Sequence, residues 1–162
     1  MSEDRERRQI SRSETVMNEM IMPNDANPLG NLMGGRLMHF IDIAAAIAAG
    51  RHARKPVVTA SVDKLDFHHP VVVGSVLVLK SSVNYAGHTS METGVKVWAE
   101  DRATLERYHV ASAYLTFVAL EPSTGRPAVV PIAVPRSAEQ KRRYNDAEGR
   151  RKARIAARPH PQ

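Results

Sequence analysis

The stretch 36–50 limits the fold of this chain more than any other part of it. Leu37, Phe40, Ile41, Ala44, Ala45, Ile47 and Ala48, placed at helical spacing, cover most of a helix's circumference. A helix apolar nearly all round is a buried helix, so the rest of the chain must wrap it. After Pro56 the period changes to two. Val58, Ala60 and Val62 alternate with Thr59, Ser61 and Asp63, which predicts a half-buried strand with the valines inward. Further strands are expected at 15–22, 75–85, 91–99 and 108–120. Met91, Thr93, Val95, Val97 and Ala99 share one face, as do Ala111, Ala113, Leu115, Phe117 and Ala119. Antiparallel strands around one buried helix make an α+β domain. One helix cannot cover a broad sheet from every side, so pairing of two copies is expected to complete the core.

The charge has a place. The formal net charge is +6, and residues 136–162 carry nine Lys or Arg against three Asp or Glu. The other 135 residues balance. The expected organisation is a charged, disordered segment 1–12, one folded domain 13–121 and a basic, partly helical tail 122–162. The tail could steer an anionic ligand or bind nucleic acid, or it could be a solvated helix. Aromatic residues at 5% speak against a base-stacking surface. The absence of cysteine excludes disulfides, thiolate metal sites and cysteine nucleophiles. No run approaches the ~20 apolar residues of a membrane span. The charged first residues lack a secretory apolar core, so a cytoplasmic location is expected.

Asp42 is the candidate for chemistry. It interrupts the apolar helix, with Met38 one turn before and Ala45 and Ala46 one turn after. A carboxylate there needs hydrogen-bond donors or it becomes protonated, and Asp propagates helices poorly. The structural alternative is an Asp satisfied by backbone or by His39. Asn27 and Asn31 lie in the turn-rich stretch before the helix, where ordinary turn chemistry also accounts for them. Gly34-Gly35 opens the helix. Its unpaired N–H groups and positive dipole end could hold a polarised carbonyl, and glycine allows close approach. The phosphate-binding and serine-nucleophile glycine motifs are absent, as is the zinc-binding HExxH.

The run MPNDANPLGNLMGGRLMHFIDIAAAIAA, residues 22–49, resembles the start of the acyl-CoA thioesterase branch of the hotdog superfamily. That branch includes the brain-type cytosolic hydrolases and bacterial single-domain relatives. VVTASVDKLDFHHPVVVGSVL, NYAGHTSMETGVKVWAED and ASAYLTFVAL follow in the same order and spacing, and the likeness covers residues 13–120. The resemblance implies a hotdog fold, an antiparallel sheet wrapped around the long helix. It implies side-by-side dimers, three of which often form a hexamer, with sites at the subunit interface. It implies acyl-CoA as substrate, Asp42 as catalytic carboxylate and Asn27 as its partner from the facing subunit. Gly35 would bind the thioester carbonyl through its N–H. Val58 and Thr59, with Gly87, Thr89 and Ser90, resemble segments that contact coenzyme A.

On this reading Asp42 acts as general base or nucleophile, and Asn27 orients water or substrate. No metal, redox cofactor or membrane is required. A non-catalytic acyl-CoA-binding or regulatory protein on the same fold is the alternative. A dehydratase would use a histidine with an acid, and no such pair is evident.

Overall fold

The computed structural model describes residues 4–159. The long helix, α1 (Gly34–Ala53), carries buried Leu37, Phe40, Ile41, Ala44, Ala45, Ala48, Ala49 and Ala53. Alanine and leucine favour its propagation. It runs farther than expected at both ends and stops at Arg54, which adopts the left-handed conformation with φ 52°.

The rest of the domain wraps that helix. Strands β2 (Thr15–Met20), β3 (Val57–Phe67), β4 (Val76–Ala86), β5 (Ser90–Glu100) and β6 (Arg107–Ala119) form one antiparallel sheet in the order β2-β4-β5-β6-β3. This is the hotdog arrangement. The predicted alternation of β5 and β6 holds. Met91 pairs with Phe117, Thr93 with Leu115, Val95 with Ala113 and Val97 with Ala111, and all eight are buried. Ser81 on β4 adds a polar tie, its hydroxyl donating to the carbonyl of Ala44 at 2.7 Å.

Three expectations are corrected. First, α1 is not covered all round. Ile43 and Ile47, one turn apart, remain 37% and 38% exposed, because the sheet closes over only one side of the helix. Second, β3 does not keep a simple period. Its pairing with β6 shifts between Thr59 and Ser61 and again between Val62 and Lys64. Each bulge reverses the alternation. Directly paired residues point to the same face. Thr59 opposite Phe117 therefore faces the helix side, and Val58 opposite Val118 faces away. Third, the segment expected to be disordered is folded within residues 4–12. Strand β1 (Arg7–Gln9) pairs in parallel with β7 (Ile132–Val134), and Ile10 is buried. An edge contributed from far along the chain, plus one apolar anchor, orders a stretch that composition alone makes look unstructured.

The basic tail forms α2 (Ala138–Ala156), capped by Ser137, whose hydroxyl accepts the N–H of Gln140. It lies on the sheet face opposite α1. Tyr144 packs on Tyr85 with ring centroids 4.9 Å apart. Arg150 forks onto Glu92 of β5 at 2.7 and 3.0 Å and stacks over Tyr114 at 3.7 Å. Arg154 reaches Asp63 of β3 at 2.6 Å. Arg142 and Arg143 pair with Asp146 and Glu139 of the same helix. Much of the tail's charge is thus spent within the chain.

Candidate active site

The open flank of α1 brings together two of the sequence's candidates, Asp42 and Thr59. Asp42 lies there, half-buried. The hydroxyl of Thr59 donates to its Oδ1 at 2.6 Å. Pairing opposite the buried Phe117 turns Thr59 toward the helix, just before the first bulge of β3. Oδ2 forms no hydrogen bond among the described residues, and the two exposed isoleucines follow on the same side. One carboxylate oxygen is therefore pinned and the other is left for a solvent molecule.

Gly34 and Gly35 are the first two residues of α1, and no side chain caps the helix start. Space beside Gly35 is open, with no atom within 4 Å of where a Cβ would stand. At Gly34 the ring of Phe67, from the end of β3, approaches to 3.6 Å of that point. The unpaired first-turn amides and the helix dipole therefore face an accessible surface bounded by an aromatic ring.

Asn27 does not touch Asp42 within one chain. Its Oδ1 accepts the N–H groups of Leu29 at 3.0 Å and Asn31 at 3.1 Å, which closes the turn. Its Nδ2 forms no hydrogen bond among the described residues, so a donor is left over. Val58 and Ser90 stand in one row across the sheet, each opposite Val118 of β6. Gly87, Thr89 and Ser90 form the turn between β4 and β5. Arg5 and the N–H of Ala119 hold that turn through the carbonyls of Gly87 and Thr89.

Asp25 escaped the sequence reading. It is buried, accepts the N–H of Met22 at 2.9 Å and the Arg36 guanidinium at 2.8 Å, and its carbonyl accepts the N–H of Met33. It ties the asparagine turn to the start of α1. The only sequence clue is the pairing of an acid in the turn with Arg36 in the first helical turn. The Met22 hydrogen bond, then the Arg36 hydrogen bond and charge, hold its pKa below the ordinary value against the opposing effect of burial. A depressed folded-state pKa gives stability that is present above the unfolded carboxylate's pKa and lost as pH falls through the folded one. Asp25→Asn should therefore flatten the acid limb of the stability curve below about pH 4. Asp25→Ala should cost about 2 kcal/mol at neutral pH by urea unfolding. Equal acid limbs for wild type and Asp25→Asn would show that the carboxylate plays no such part.

Among the described residues no three His, Asp or Glu groups converge as a metal site. No helix there is long and apolar enough to cross a membrane. A cavity of about 470 Å³ lies away from Asp42, between α2 and the outer face of β4–β6, with Lys80, Lys96 and Trp98 among its walls.

The chain is similar in sequence and fold to known proteins. The sequence profile of the Thioesterase superfamily matches residues 29–106. An uncharacterised acyl-CoA thioester hydrolase of Bacillus subtilis is 40% identical over 157 residues, 97% of this chain and 91% of that protein. The chain belongs to the thioesterase superfamily. The human cytosolic acyl coenzyme A thioester hydrolase is 34% identical over 87% of this chain, which spans 37% of that longer protein. The acyl-CoA hydrolase of Staphylococcus aureus, solved with butyryl-coenzyme A and coenzyme A, has a TM-score of 0.85 at 38% identity. That match covers 92% of this chain and 90% of the other. A hexameric acyl-CoA thioesterase superposes with a TM-score of 0.87 at 39% identity, covering 94% of this chain and 99% of that one. Three further structures of the S. aureus thioesterase carry alanine in place of an asparagine, an aspartate and a threonine, spaced 15 and 17 positions apart.

Proposed function

We propose that this superfamily member hydrolyses acyl-coenzyme A thioesters at a site completed by a second copy of the chain. The observation that carries the reading is the Thr59–Asp42 hydrogen bond on an uncovered helix flank. Asn27, Asp42 and Thr59 have the spacing of the three residues replaced in the S. aureus hydrolase. The hydrolase names of the relatives, including those solved with coenzyme A, support the substrate class.

The chemistry follows from the geometry. The thioester carbonyl oxygen accepts a first-turn N–H at Gly35, where donors and dipole stabilise the charge that develops on it. Asp42 takes a proton from water through the carboxylate oxygen that Thr59 leaves unbound. The resulting hydroxide attacks the carbonyl carbon. The tetrahedral species collapses, the C–S bond breaks, and the proton on Asp42 passes to the leaving sulfur. Free acid and coenzyme A result, with no metal or redox cofactor involved. Asn27 of the facing subunit orients the water or substrate with its spare Nδ2. Val58 and the turn carrying Gly87, Thr89 and Ser90 contact the coenzyme A arm.

Dimerisation supplies what one chain lacks. β3 is an edge strand of eleven residues, and Val62 and Phe67 on it are exposed. With Ile43 and Ile47 they form an apolar flank that pairing buries. Three such dimers in a hexamer, the assembly size of a hexameric relative, and a cytoplasmic location complete the proposal.

Purified protein should release free thiol from an acyl-CoA series of short to long chains, read with a thiol reagent. No release at any chain length overturns the proposal. Thr59→Val should lower kcat about tenfold with KM little changed, the value of one hydrogen bond of about 1.4 kcal/mol that orients the base. An unchanged kcat would remove Thr59 from the scheme.

A further inference from the structure

Four arginines from two distant parts of the chain line one shallow basin at the C-terminal end of α1. Arg8 comes from β1 and Arg12 from the turn after it, while Arg51 and Arg54 come from the end of the helix. Among the described residues these four arginines are its lining. Two of the four are fixed in place. Arg8 is buried, with its guanidinium on the carbonyl of His52 and the carboxylate of Glu6. Arg51 donates to the carbonyl of Glu14 at 2.7 Å and the hydroxyl of Thr15 at 3.0 Å. Glu6 balances one charge. Among the described residues Arg12, Arg51 and Arg54 enter no ion pair, which leaves three guanidiniums around one depression.

The backbone gives a second, independent observation. Arg54 closes α1 in the left-handed region at φ 52°, its N–H on the carbonyl of Gly50 at 2.7 Å. Glycine is the usual residue at such a helix end, because any side chain there meets a steric penalty. A helix dipole rewards a cation near its C-terminus, but Arg51 and His52 already provide that in the last turn. The strain at Arg54 therefore serves what its side chain does. Guanidiniums are planar forks that match phosphate oxygens two at a time.

We propose that the basin of Arg8, Arg12, Arg51 and Arg54 is a binding site for an anion with clustered phosphates. The chemistry fits the pyrophosphate end of a coenzyme A thioester, and equally a free phosphorylated metabolite. Binding does not depend on the hydrolytic reading; only the assignment of the source rests on it.

Inorganic pyrophosphate is the probe, titrated calorimetrically into the full-length protein at low salt. Saturable binding is expected, weaker for inorganic phosphate and weakened at least tenfold in Arg12→Ala/Arg54→Gly. Arg54→Gly alone should weaken binding while the Tm holds or rises, since glycine relieves the left-handed strain. A residue that only ended the helix would show the same Tm on Arg54→Gly but leave pyrophosphate binding unchanged. That single variant also keeps the test valid if the double variant fails to fold. Acyl-CoA kinetics on the same variants separate the sources. A KM raised about tenfold with kcat intact assigns the basin to the nucleotide end of the substrate. An unchanged KM alongside lost pyrophosphate binding assigns it to a separate phosphorylated ligand. No saturable pyrophosphate binding, or binding equal in wild type and both variants, overturns the proposal.

Discussion

Asp42→Ala protein should release thiol about a thousandfold more slowly than wild type while keeping its fold. A positioned general base contributes roughly 10²–10⁴ to a rate, and nothing near Asp42 can replace it. Among the described residues His39, three positions earlier, forms no hydrogen bond with Thr59, and no other acid bonds to that hydroxyl. The fold should survive because Asp42 is only half-buried and alanine is the better helix former. Circular dichroism and the Tm check that point. A loss of less than tenfold would remove Asp42 from the chemistry. The proposed sharing of the site between two copies makes a sharper version possible. Asn27→Ala and Asp42→Ala proteins, each inactive, should regain about a quarter of wild-type activity when unfolded together and reassembled. Half the dimers are then mixed, and one of their two sites holds both native residues. No recovery would place the whole site within one chain.

Glu92→Ala should cost about 3 kcal/mol, the largest loss of stability expected from any single change outside the apolar core. Glu92 is 3% exposed, accepts Asn84 Nδ2 at 3.1 Å and takes both arms of Arg150. Removing it strands an arginine charge and an amide against the sheet. Arg150 keeps some solvent access, which holds the cost near the lower end for a broken buried pair. In a domain of this size the Tm should fall by about 6–12 °C. Glu92→Gln keeps the hydrogen bond from Asn84 and should fall between the two. If urea midpoints of wild type and Glu92→Ala coincide, α2 is not anchored through this pair.

Much of this architecture was legible before any coordinates, and the reason is periodicity. The core strip of α1 and the alternation of β5 and β6 repeat over many residues, so each position supports the next. β3 broke the pattern because its two bulges are set by partners on β6, which no local period records. That is why Thr59 read as an outward residue in a coenzyme A segment rather than as the donor to Asp42. β1 was missed because its partner β7 lies more than a hundred residues away. The docking of α2 escaped for a similar reason. Glu92 and Asp63 sit on strands whose alternation explains them as outward polar residues, and nothing in that pattern says that arginines will cover them. Asp42 stood out because it violates its surroundings. Asn27 was fairly read both ways: one end of its amide builds the turn and the other is unspent.

The uncovered side of α1 and the bare edge of β3 bear on the life of the protein before it works. A newly made copy carries a sticky stripe and a row of unsatisfied backbone groups until another copy arrives. The yield of usable protein should then depend on how soon copies meet, and crowding by other unfinished chains should do more harm than slow folding of any single one.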